Sequence, residues 1–402
     1  MKTTTFTFIV SFLFLTNSTV FSLWKPAALN GTNVTSLAFN SGKLFVGTEK
    51  AGIYRYENNS ASRIGTDSLM GASVRCIEVF DRGNIIIAST DIGLFSYSEK
   101  SGSSWTKNNQ IGSSEVQAML RYHDSLFFVV TNKKVHISKV TADLAADLDF
   151  KVLDVSSTLP PSTRDLEFRC ITMLRDSLFL GSILTGSKSS WGGILRSIDN
   201  GNTWNGFNNG WTGIEQQGFQ SLAVFLEQFN SKQPTYLADV IVDISKGESA
   251  VFRKTGNDAN WERVPALDNK RVNQLYITFF SNSKIALEHA ATDDGIYKNS
   301  NGIWSKIDNL TNVNTIVGND DGSTGDGYTT LFAGTTTGLY ENDEIVLIKK
   351  KLKSPAKTIK KIPDHHSLII PLNKVKGSAA GVRIVSEQNS NNPISLQGKT
   401  VR

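Results

Sequence analysis

Cysteine is scarce in this chain, long apolar runs are missing after its N-terminus, and basic residues exceed acidic ones only at its C-terminal end. Its 402 residues include 2 Cys, too few for a fold held together by disulfides. No run beyond the N-terminus reaches the roughly 18 uninterrupted apolar residues of a membrane-spanning helix. With 39% hydrophobic residues, the chain is also too apolar for a disordered polymer. The sequence predicts a folded protein without a membrane span.

The positive charge of the chain is concentrated in its tail. Residues 347–402 contain 12 Lys and Arg against 2 Asp and Glu, whereas the whole chain has 42 against 37. The net charge of +5 is therefore +10 in the tail and −5 in residues 1–346. Because nucleic-acid binding needs a basic face on the folded part, we do not expect a nucleic-acid partner.

The first 22 residues have the pattern of a signal peptide. Lys2 precedes an apolar stretch from Phe6 to Leu15, which is too short to cross a bilayer. Val20-Phe21-Ser22 then provides the side chains of a signal-peptidase site. We expect residues 1–22 to be removed and the rest to be secreted, in an extracellular or periplasmic location.

A pattern of four consecutive residues (apolar, polar, variable, apolar) recurs seven times along the chain. We call each copy a phrase. Its copies start at Val34, Val74, Val116, Phe168, Phe219, Val272 and Val313. Further short runs of β-branched and aromatic residues follow each copy, bounded by Gly, Asn, Asp and Ser. Four short strands in each unit of about 40 to 50 residues are typical of a β-propeller. The sequence predicts an all-β, seven-bladed β-propeller over residues 23–346, followed by the basic C-terminal tail.

The two ends of the repeat region complement each other. Most units end in a fourth segment with a Trp, but the seventh unit lacks this segment. The residues from Trp24 to Val34 resemble those from Trp304 to Val313. We therefore expect the N-terminal strand to close the last blade, which leaves no open sheet edge around the ring.

One turn carries a defined motif. Residues 197–204, Ser-Ile-Asp-Asn-Gly-Asn-Thr-Trp, match the pattern S-x-D-x-G-x-T-W and resemble the Asp-box repeat of bacterial neuraminidases. The resemblance implies a structural turn: a carboxylate accepts backbone N–H groups, a glycine takes a positive φ and a tryptophan packs between blades. Its structural residues are Ser197, Asp199, Gly201, Thr203 and Trp204.

A second resemblance concerns the segment from Gly47 to Tyr56, which looks like the propeller repeat of two-component-regulator sensor proteins. The tail ends in residues 395–402, which resemble a turn of the small C-terminal sorting domains of some secreted bacterial proteins; the rest of the tail is predicted to be a Lys-rich linker. The two propeller resemblances indicate architecture, since propellers serve many functions.

The second residue of every phrase is polar. These residues are Thr35, Arg75, Gln117, Arg169, Gln220, Asn273 and Asn314. Ring symmetry would gather them around the mouth of the central channel, where they would bind a glycan or protein ligand. Trp191 and Trp211, in insertions of the fourth unit, are predicted to add stacking contacts. The competing interpretation is that the polar residues pair with neighbouring blades and that both Trp residues are buried between blades.

We do not expect catalysis. A sialidase would need an arginine cluster, for which only Arg75 and Arg169 qualify, and no Arg-Ile-Pro phrase occurs. Glu288 and His289, with Asp293 and Asp294 following, form the best acidic cluster, which we interpret as a charged strand exit. The alternatives are a sialidase-like glycoside hydrolase and a periplasmic sensor or assembly-factor propeller.

The remaining expectations concern thiols, cofactors and assembly. Cys76 and Cys170 occupy equivalent positions two blades apart, an arrangement that rarely brings two thiols within reach of a disulfide, so we expect buried free thiols rather than a bridge. No spacing of His and Cys residues fits a metal site. No metal or cofactor is therefore predicted, and we expect a monomer.

Overall fold

Strands make up nearly all the regular structure of the described residues. The structure is a computed structural model, and it describes residues 24–345 except 67–68, 81–83, 101, 103, 123–124, 141–147, 156–165, 175, 185–192, 208–217, 227–233, 244–247, 256–259, 281–284, 301 and 320–327. The predicted signal peptide and the basic tail lie outside the described residues. Within the described part there are 28 strands and one short 3-10 helix, Pro265–Leu267.

The strands follow the chain in antiparallel meanders. The first nine are β1 Lys25–Ala28, β2 Val34–Asn40, β3 Lys43–Ala51, β4 Ile53–Glu57, β5 Ser60–Arg63, β6 Met70–Phe80, β7 Ile85–Thr90, β8 Gly93–Ser98 and β9 Thr106–Lys107. The next eight are β10 Val116–Tyr122, β11 Leu126–Thr131, β12 Val135–Lys139, β13 Lys151–Leu153, β14 Leu166–Leu174, β15 Ser177–Leu184, β16 Gly193–Ser197 and β17 Asn205–Gly206. The last eleven are β18 Gly218–Leu226, β19 Pro234–Asp243, β20 Glu248–Thr255, β21 Glu262–Arg263, β22 Val272–Phe280, β23 Ile285–Thr292, β24 Gly295–Ser300, β25 Ile303–Lys306, β26 Val313–Gly318, β27 Tyr328–Thr335 and β28 Gly338–Ile345.

Hydrogen bonding joins these strands into five sheets. Three sheets have four strands each: β10–β13, β22–β25, and β26–β28 with β1. Two have eight strands, β2–β9 and β14–β21. We number the antiparallel meanders in chain order: the first six are β2–β5, β6–β9, β10–β13, β14–β17, β18–β21 and β22–β25, and the last is β26–β28 with β1. In each larger sheet a bridge connects two successive meanders, through Glu49 opposite Ser73 and Ala51 opposite Met70 in one and Ile183 opposite Gly218 in the other. Continuous hydrogen bonding therefore gives five sheets where the sequence repeat predicts seven blades.

The inner strands form a closed ring. Each strand that begins a meander contacts the first strand of the next meander, in the order β2, β6, β10, β14, β18, β22 and β26, and β26 contacts β2 again. At the same junction β1 pairs with β28, with Lys25 opposite Glu341. The N-terminal strand thus completes the sheet of the C-terminal strands, as expected from the sequence. The chain is an all-β propeller.

Apolar side chains fill the spaces between successive meanders. Each hydrophobic cluster of the described residues combines side chains from two neighbouring meanders. Six of these clusters contain a buried aromatic residue from a fourth strand or the turn before it: Trp24, Trp105, Phe150, Trp204, Trp261 and Trp304. The cluster where the ring closes uses Phe332 and Tyr56 instead, with ring centroids 6.0 Å apart. Burial of these large rings supplies much of the driving force for folding.

A buried hydroxyl stabilises the turn between the second and third strands of most meanders. Thr48 Oγ1 donates to the Gly52 carbonyl at 2.7 Å and accepts from the Ala51 N–H at 3.1 Å. The same pair of bonds recurs at Thr90, Thr131, Ser182, Thr292 and Thr335. Each hydroxyl satisfies backbone groups that the turn would otherwise leave unpaired. The Gly-Thr and Ser-Thr pairs of the repeat are therefore turn determinants.

The motif at residues 197–204 forms a tight hairpin end. Asp199 Oδ1 accepts from the Thr203 N–H at 2.9 Å, and its Oδ2 accepts from Thr203 Oγ1 at 2.6 Å. Gly201 has φ +88° and donates its N–H to Ser197 Oγ. Trp204 is buried in the cluster between the third and fourth meanders. The hydrogen bonds from Thr203 and Ser197 lower the pKa of Asp199, consistent with a structural carboxylate.

Gly334 allows the close approach that completes the ring. A Cβ at this position would lie 2.5 Å from Val34 Cγ1 and 2.6 Å from Thr315 Cγ2. We expect Gly334→Val to destabilise the chain by about 1 to 3 kcal/mol through overpacking. Thermal unfolding measures this, with Gly206→Val as the control because a Cβ there meets nothing within 4 Å. Equal melting temperatures for the two variants would contradict the close packing at the junction.

Candidate functional site

A β-bulge sets each of the seven polar second-position residues apart from its strand. In every inner strand the pairing register shifts across this residue, as between Val34 and Ser36 around Thr35. The same shift occurs around Arg75, Gln117, Arg169, Gln220, Asn273 and Asn314. A bulged residue is left out of the ladder, and its side chain is re-aimed. We call these seven residues the collar.

Three collar side chains bind the backbone of the next meander. Thr35 Oγ1 donates to the Val74 carbonyl at 2.5 Å, Asn273 Nδ2 to the Val313 carbonyl at 2.9 Å and Asn314 Nδ2 to the Val34 carbonyl at 2.9 Å. Each acceptor is the first residue of the following phrase. These bonds place the three bulges at the same end of the ring. The competing interpretation, pairing between neighbouring blades, therefore describes this neutral arc of the collar.

The collar is charged at the next two junctions. Arg75 forms an ion pair with Glu115, which directly precedes the third phrase. Arg169 pairs with Glu167 at 3.0 Å, and its Nη1 donates to Gln117 Oε1 at 3.4 Å. Lys133 lies 3.6 Å from the other oxygen of Glu167. About a third of each arginine side chain stays exposed, so these two junctions, which we call the charged arc, are open to solvent.

Part of the predicted site lies outside what the structure describes. Gln220 occupies a bulge like the others, but its side chain is outside the described part. Trp191 and Trp211 also lie outside the described residues, so their stacking role stays a prediction.

The two collar arginines are separately paired. Arg75 is bound to Glu115 at one junction, and Arg169 is bound to Glu167 and Gln117 at the next. A guanidinium already neutralised by a carboxylate binds a ligand carboxylate only by exchanging partners. This arrangement differs from an arginine cluster whose members all face one ligand group.

Glu288 is a buried structural acid. Arg253 Nη1 lies 3.0 Å from Oε1 and 3.1 Å from Oε2 of this carboxylate, and Asn299 Nδ2 donates to Oε2 at 2.7 Å. These contacts connect the fifth and sixth meanders away from the collar. Asp294, in the turn after β23, belongs to the acidic cluster that the sequence predicted to be a charged strand exit. It binds Lys270 at 2.7 Å and Lys306 at 3.1 Å, as that interpretation expects. Hydrogen bonds from Lys270 and Tyr297 hold the pKa of Asp294 well below its usual range.

His289 lies beside Glu288 in β23 and is fully buried. Its ring is 6.4 Å from the ring of Tyr276, centroid to centroid. Burial, with a smaller contribution from Lys298, lowers the pKa of His289 to about 3. The folded chain therefore keeps this imidazole neutral well below the pH at which an unfolded histidine takes up a proton.

His289 should make stability fall as the pH decreases. Between its unfolded pKa of about 6.5 and its folded pKa, only the unfolded state binds the proton, which costs about 1.4 kcal/mol of stability for each pH unit. We expect the stability of the wild type relative to His289→Leu to decrease by roughly 2 to 3 kcal/mol from pH 6.5 to pH 4.5. Urea unfolding at several pH values measures both variants. A difference that does not change with pH would contradict a neutral buried imidazole.

Among the described residues, the cysteines and the metal-ligating side chains do not form a reactive or metal-binding site. Cys76 and Cys170 form no disulfide, as predicted, although each residue is partly rather than fully buried. Burial raises the pKa of Cys76 to about 12, so it is a poor nucleophile. Among the described residues, no group of three or more His, Cys, Asp or Glu side chains could hold a metal ion. No helix in the described part is long and apolar enough to cross a membrane.

The acidic partners of the collar are not among the residues predicted from the sequence. Glu115 and Glu167 each stand directly before a phrase, at the position that Asn33 occupies before the first phrase. Asn33 also reaches the collar, since its Oδ1 accepts from Asn314 Nδ2 at 2.8 Å. The residue before each phrase was therefore the signal that could have identified these partners.

Comparison with known proteins shows the fold alone. No family model and no curated protein matches the sequence. The extracellular domain of BT4673 from B. thetaiotaomicron, designated a one-component system, superposes with a TM-score of 0.58 at 16% identity, over 79% of this chain and 39% of that chain. The extracellular domain of BT3049 from the same organism, designated a hybrid two-component system, gives a TM-score of 0.55 at 14% identity, over 80% and 41%.

What this chain shares with these structures is the propeller fold. This chain spans about two fifths of the length of the structures it matches. Identities of this size carry no residue-level correspondence. The likeness therefore carries none of the functions of those sensor domains to this chain.

Proposed function

We propose that this chain is an exported, non-catalytic β-propeller that binds a glycan or protein ligand at the mouth of its central channel, through the collar. One observation carries the proposal: all seven inner strands have a bulge at the polar second residue of the phrase. Bulges are frequent beside functional sites, where they direct side chains. The convergence of seven strand starts would make the mouth a shared binding surface.

The proposal includes a count of seven blades. We treat each eight-stranded sheet as two blades joined by a bridge, because the bridge has only one residue pair in β14–β21 and two in β2–β9. The ring of seven inner-strand contacts supports the same count. The hydrogen bonds of residues 197–204 support assigning this turn to the Asp-box repeat.

The pairing of acids at the mouth supports a non-catalytic role. Glu115 is bound to Arg75, Glu167 to Arg169, and Asp293 accepts from Asn273 Nδ2 at 2.9 Å. The sialidase-like alternative needs two carboxylates placed for glycosidic cleavage.

A sensor role is the second candidate. It is favoured by the likeness to extracellular domains of one-component and hybrid two-component systems. That likeness also supports an extracellular or periplasmic location. In this version the chain would recognise its ligand and pass the signal through a protein partner.

A glycan array combined with affinity co-purification tests the proposal. We expect the wild type to bind a glycan or recover a defined protein, and Arg75→Glu to reduce that binding because it places two acids at one junction. If no glycan is bound and a single protein is recovered, the carbohydrate version of the proposal is rejected. Binding that Arg75→Glu leaves unchanged, or no binding of either class, would contradict the proposal. Hydrolysis of chromogenic glycosides that Arg75→Ala and Arg169→Ala abolish would establish the enzyme instead.

A further inference from the structure

The junction between the third and fourth meanders departs from the pattern of the collar. At three other junctions the collar side chain donates to the first carbonyl of the next phrase. Gln117 holds the equivalent position, yet its Nε2 makes no hydrogen bond to any of the described residues. The bond from Arg169 Nη1 to Gln117 Oε1 fixes which end of the amide is the acceptor. The free end is therefore the donor.

A second donor is unused at the same place. Arg169 directs Nη2 to Glu167 and Nη1 to Gln117, but its Nε has no hydrogen-bond partner in the part of the chain that the structure describes. Both Nε and Gln117 Nε2 are enclosed by the surrounding side chains. Enclosed donors without an acceptor are costly, commonly by more than a single hydrogen bond contributes to stability. Their occurrence together on adjacent inner strands indicates a place built for acceptor atoms.

The local charge favours an anion. Arg169 and Lys133 contribute two positive charges against the single negative charge of Glu167. The neighbouring pair of Arg75 and Glu115 is neutral. A net positive site with N–H donors matches an oxyanion, which accepts several charge-assisted hydrogen bonds.

The side chains can admit such a group. The Arg169–Gln117 hydrogen bond is long, at 3.4 Å, and 34% of the Arg169 side chain is exposed. Separating the two side chains exposes Nε and Nε2 while Arg169 keeps its ion pair with Glu167. An entering oxyanion would replace one long bond with bonds to both free donors.

We propose that the charged arc binds an oxyanion group of the ligand, a carboxylate or a sulfate, between Gln117 and Arg169. The inference rests on the proposed function, because it specifies which part of the mouth reads the ligand and by what chemistry. Gln117 and Arg169 are then specificity residues, and the neutral arc of Thr35, Asn273 and Asn314 holds the ring in shape.

Titration of the purified full chain with three small probes tests the inference. We use glucuronate for the carboxylate, glucose 6-sulfate for the sulfate and glucose as the neutral control, by isothermal titration calorimetry. We expect at least one anionic probe to bind about tenfold or more tightly than glucose, the difference that a charge-assisted hydrogen bond provides. Which anionic probe binds distinguishes the two sources.

Two variants locate the binding. Gln117→Glu removes a donor and adds a negative charge, and Arg169→Lys removes Nε while keeping the charge; each should weaken anion binding by about tenfold. Arg263→Gln, which removes a positive charge on the outer strand β21, should leave it unchanged. Unaltered melting temperatures would show that the variants fold.

The outcomes separate the inference from the proposed function. Equal binding of glucose and the anions, no anion binding, or anion binding that Gln117→Glu and Arg169→Lys leave unchanged would each overturn the inference. A natural ligand recovered by the glycan array or co-purification and lost in Arg75→Glu would still support binding at the mouth. If the wild type binds no ligand in the glycan array or the co-purification, the proposed function itself is rejected.

Discussion

Glu288→Ala is expected to destabilise the propeller by about 3 to 5 kcal/mol, the usual cost of removing one partner from a buried ion pair. The carboxylate has 7% of its side chain exposed and accepts from both Arg253 and Asn299. Its loss takes a carboxylate partner from a guanidinium that was desolvated when the fifth and sixth meanders packed together. Urea unfolding at pH 7 measures the change.

An exposed ion pair provides the matched control for Glu288. Asp268 lies 2.7 Å from Arg263 Nε, and 45% of that arginine side chain is exposed. We expect Asp268→Ala to cost less than about 1 kcal/mol because solvent screens such a pair. If Glu288→Ala costs no more than Asp268→Ala, the ion pair between the meanders does not contribute as the structure indicates.

Trp24→Ala is expected to cost a similar amount, about 3 to 5 kcal/mol. The indole is buried with Ile296, Leu331 and Ala333, so it fixes β1 against the last two meanders. Its removal would leave a cavity and loosen the strand that covers the edge of β28. An uncovered edge strand also favours aggregation. Differential scanning calorimetry and light scattering measure the two effects.

Lys25→Ala is the control for the Trp24 variant. Lys25 lies in the same strand and is only half-buried, so we expect a change within about 0.5 kcal/mol. Equal losses for Trp24→Ala and Lys25→Ala would mean that the indole does not anchor the strand.

The sequence repeat predicted the propeller because the strands of each unit follow one another closely along the chain. The apolar first residue of each phrase is buried wherever the structure describes its side chain, as for Val34, Val74 and Val313. The missing fourth segment of the last unit also predicted the pairing of β1 with β28. Both inferences needed only strand patterns and their spacing.

The partners of the collar could not be predicted in the same way. The acceptors of Thr35 and Asn314 belong to the next meander, and which backbone group comes within reach depends on the angle between meanders. The pairing of Glu288 with Arg253 has the same origin, since the two residues lie on different meanders. Sequence patterns describe one strand at a time and do not report these angles.

The hydrogen-bonded bridges between meanders also could not be predicted from the sequence. Strand β3 continues to Ala51, and β6 begins at Met70, so these two residues pair across the boundary. Strand ends are the least certain part of a prediction from sequence. For this reason the repeat gave the number of units without showing that some are joined by hydrogen bonds.

Closure of the ring by β1 is the central claim, and an engineered disulfide tests it most directly. Lys25 and Glu341 are opposite residues of an antiparallel pair, within the Cα separation of about 4.4 to 6.8 Å that a disulfide spans. The test uses Lys25→Cys with Glu341→Cys after both native cysteines are replaced by alanine, and Lys25→Cys with Lys151→Cys as the control. We predict an intramolecular disulfide in the first protein alone, detected by mass spectrometry of peptides from the unreduced chain. Free thiols in both proteins, or equal cross-linking in the two, would contradict a ring closed by its N-terminal strand.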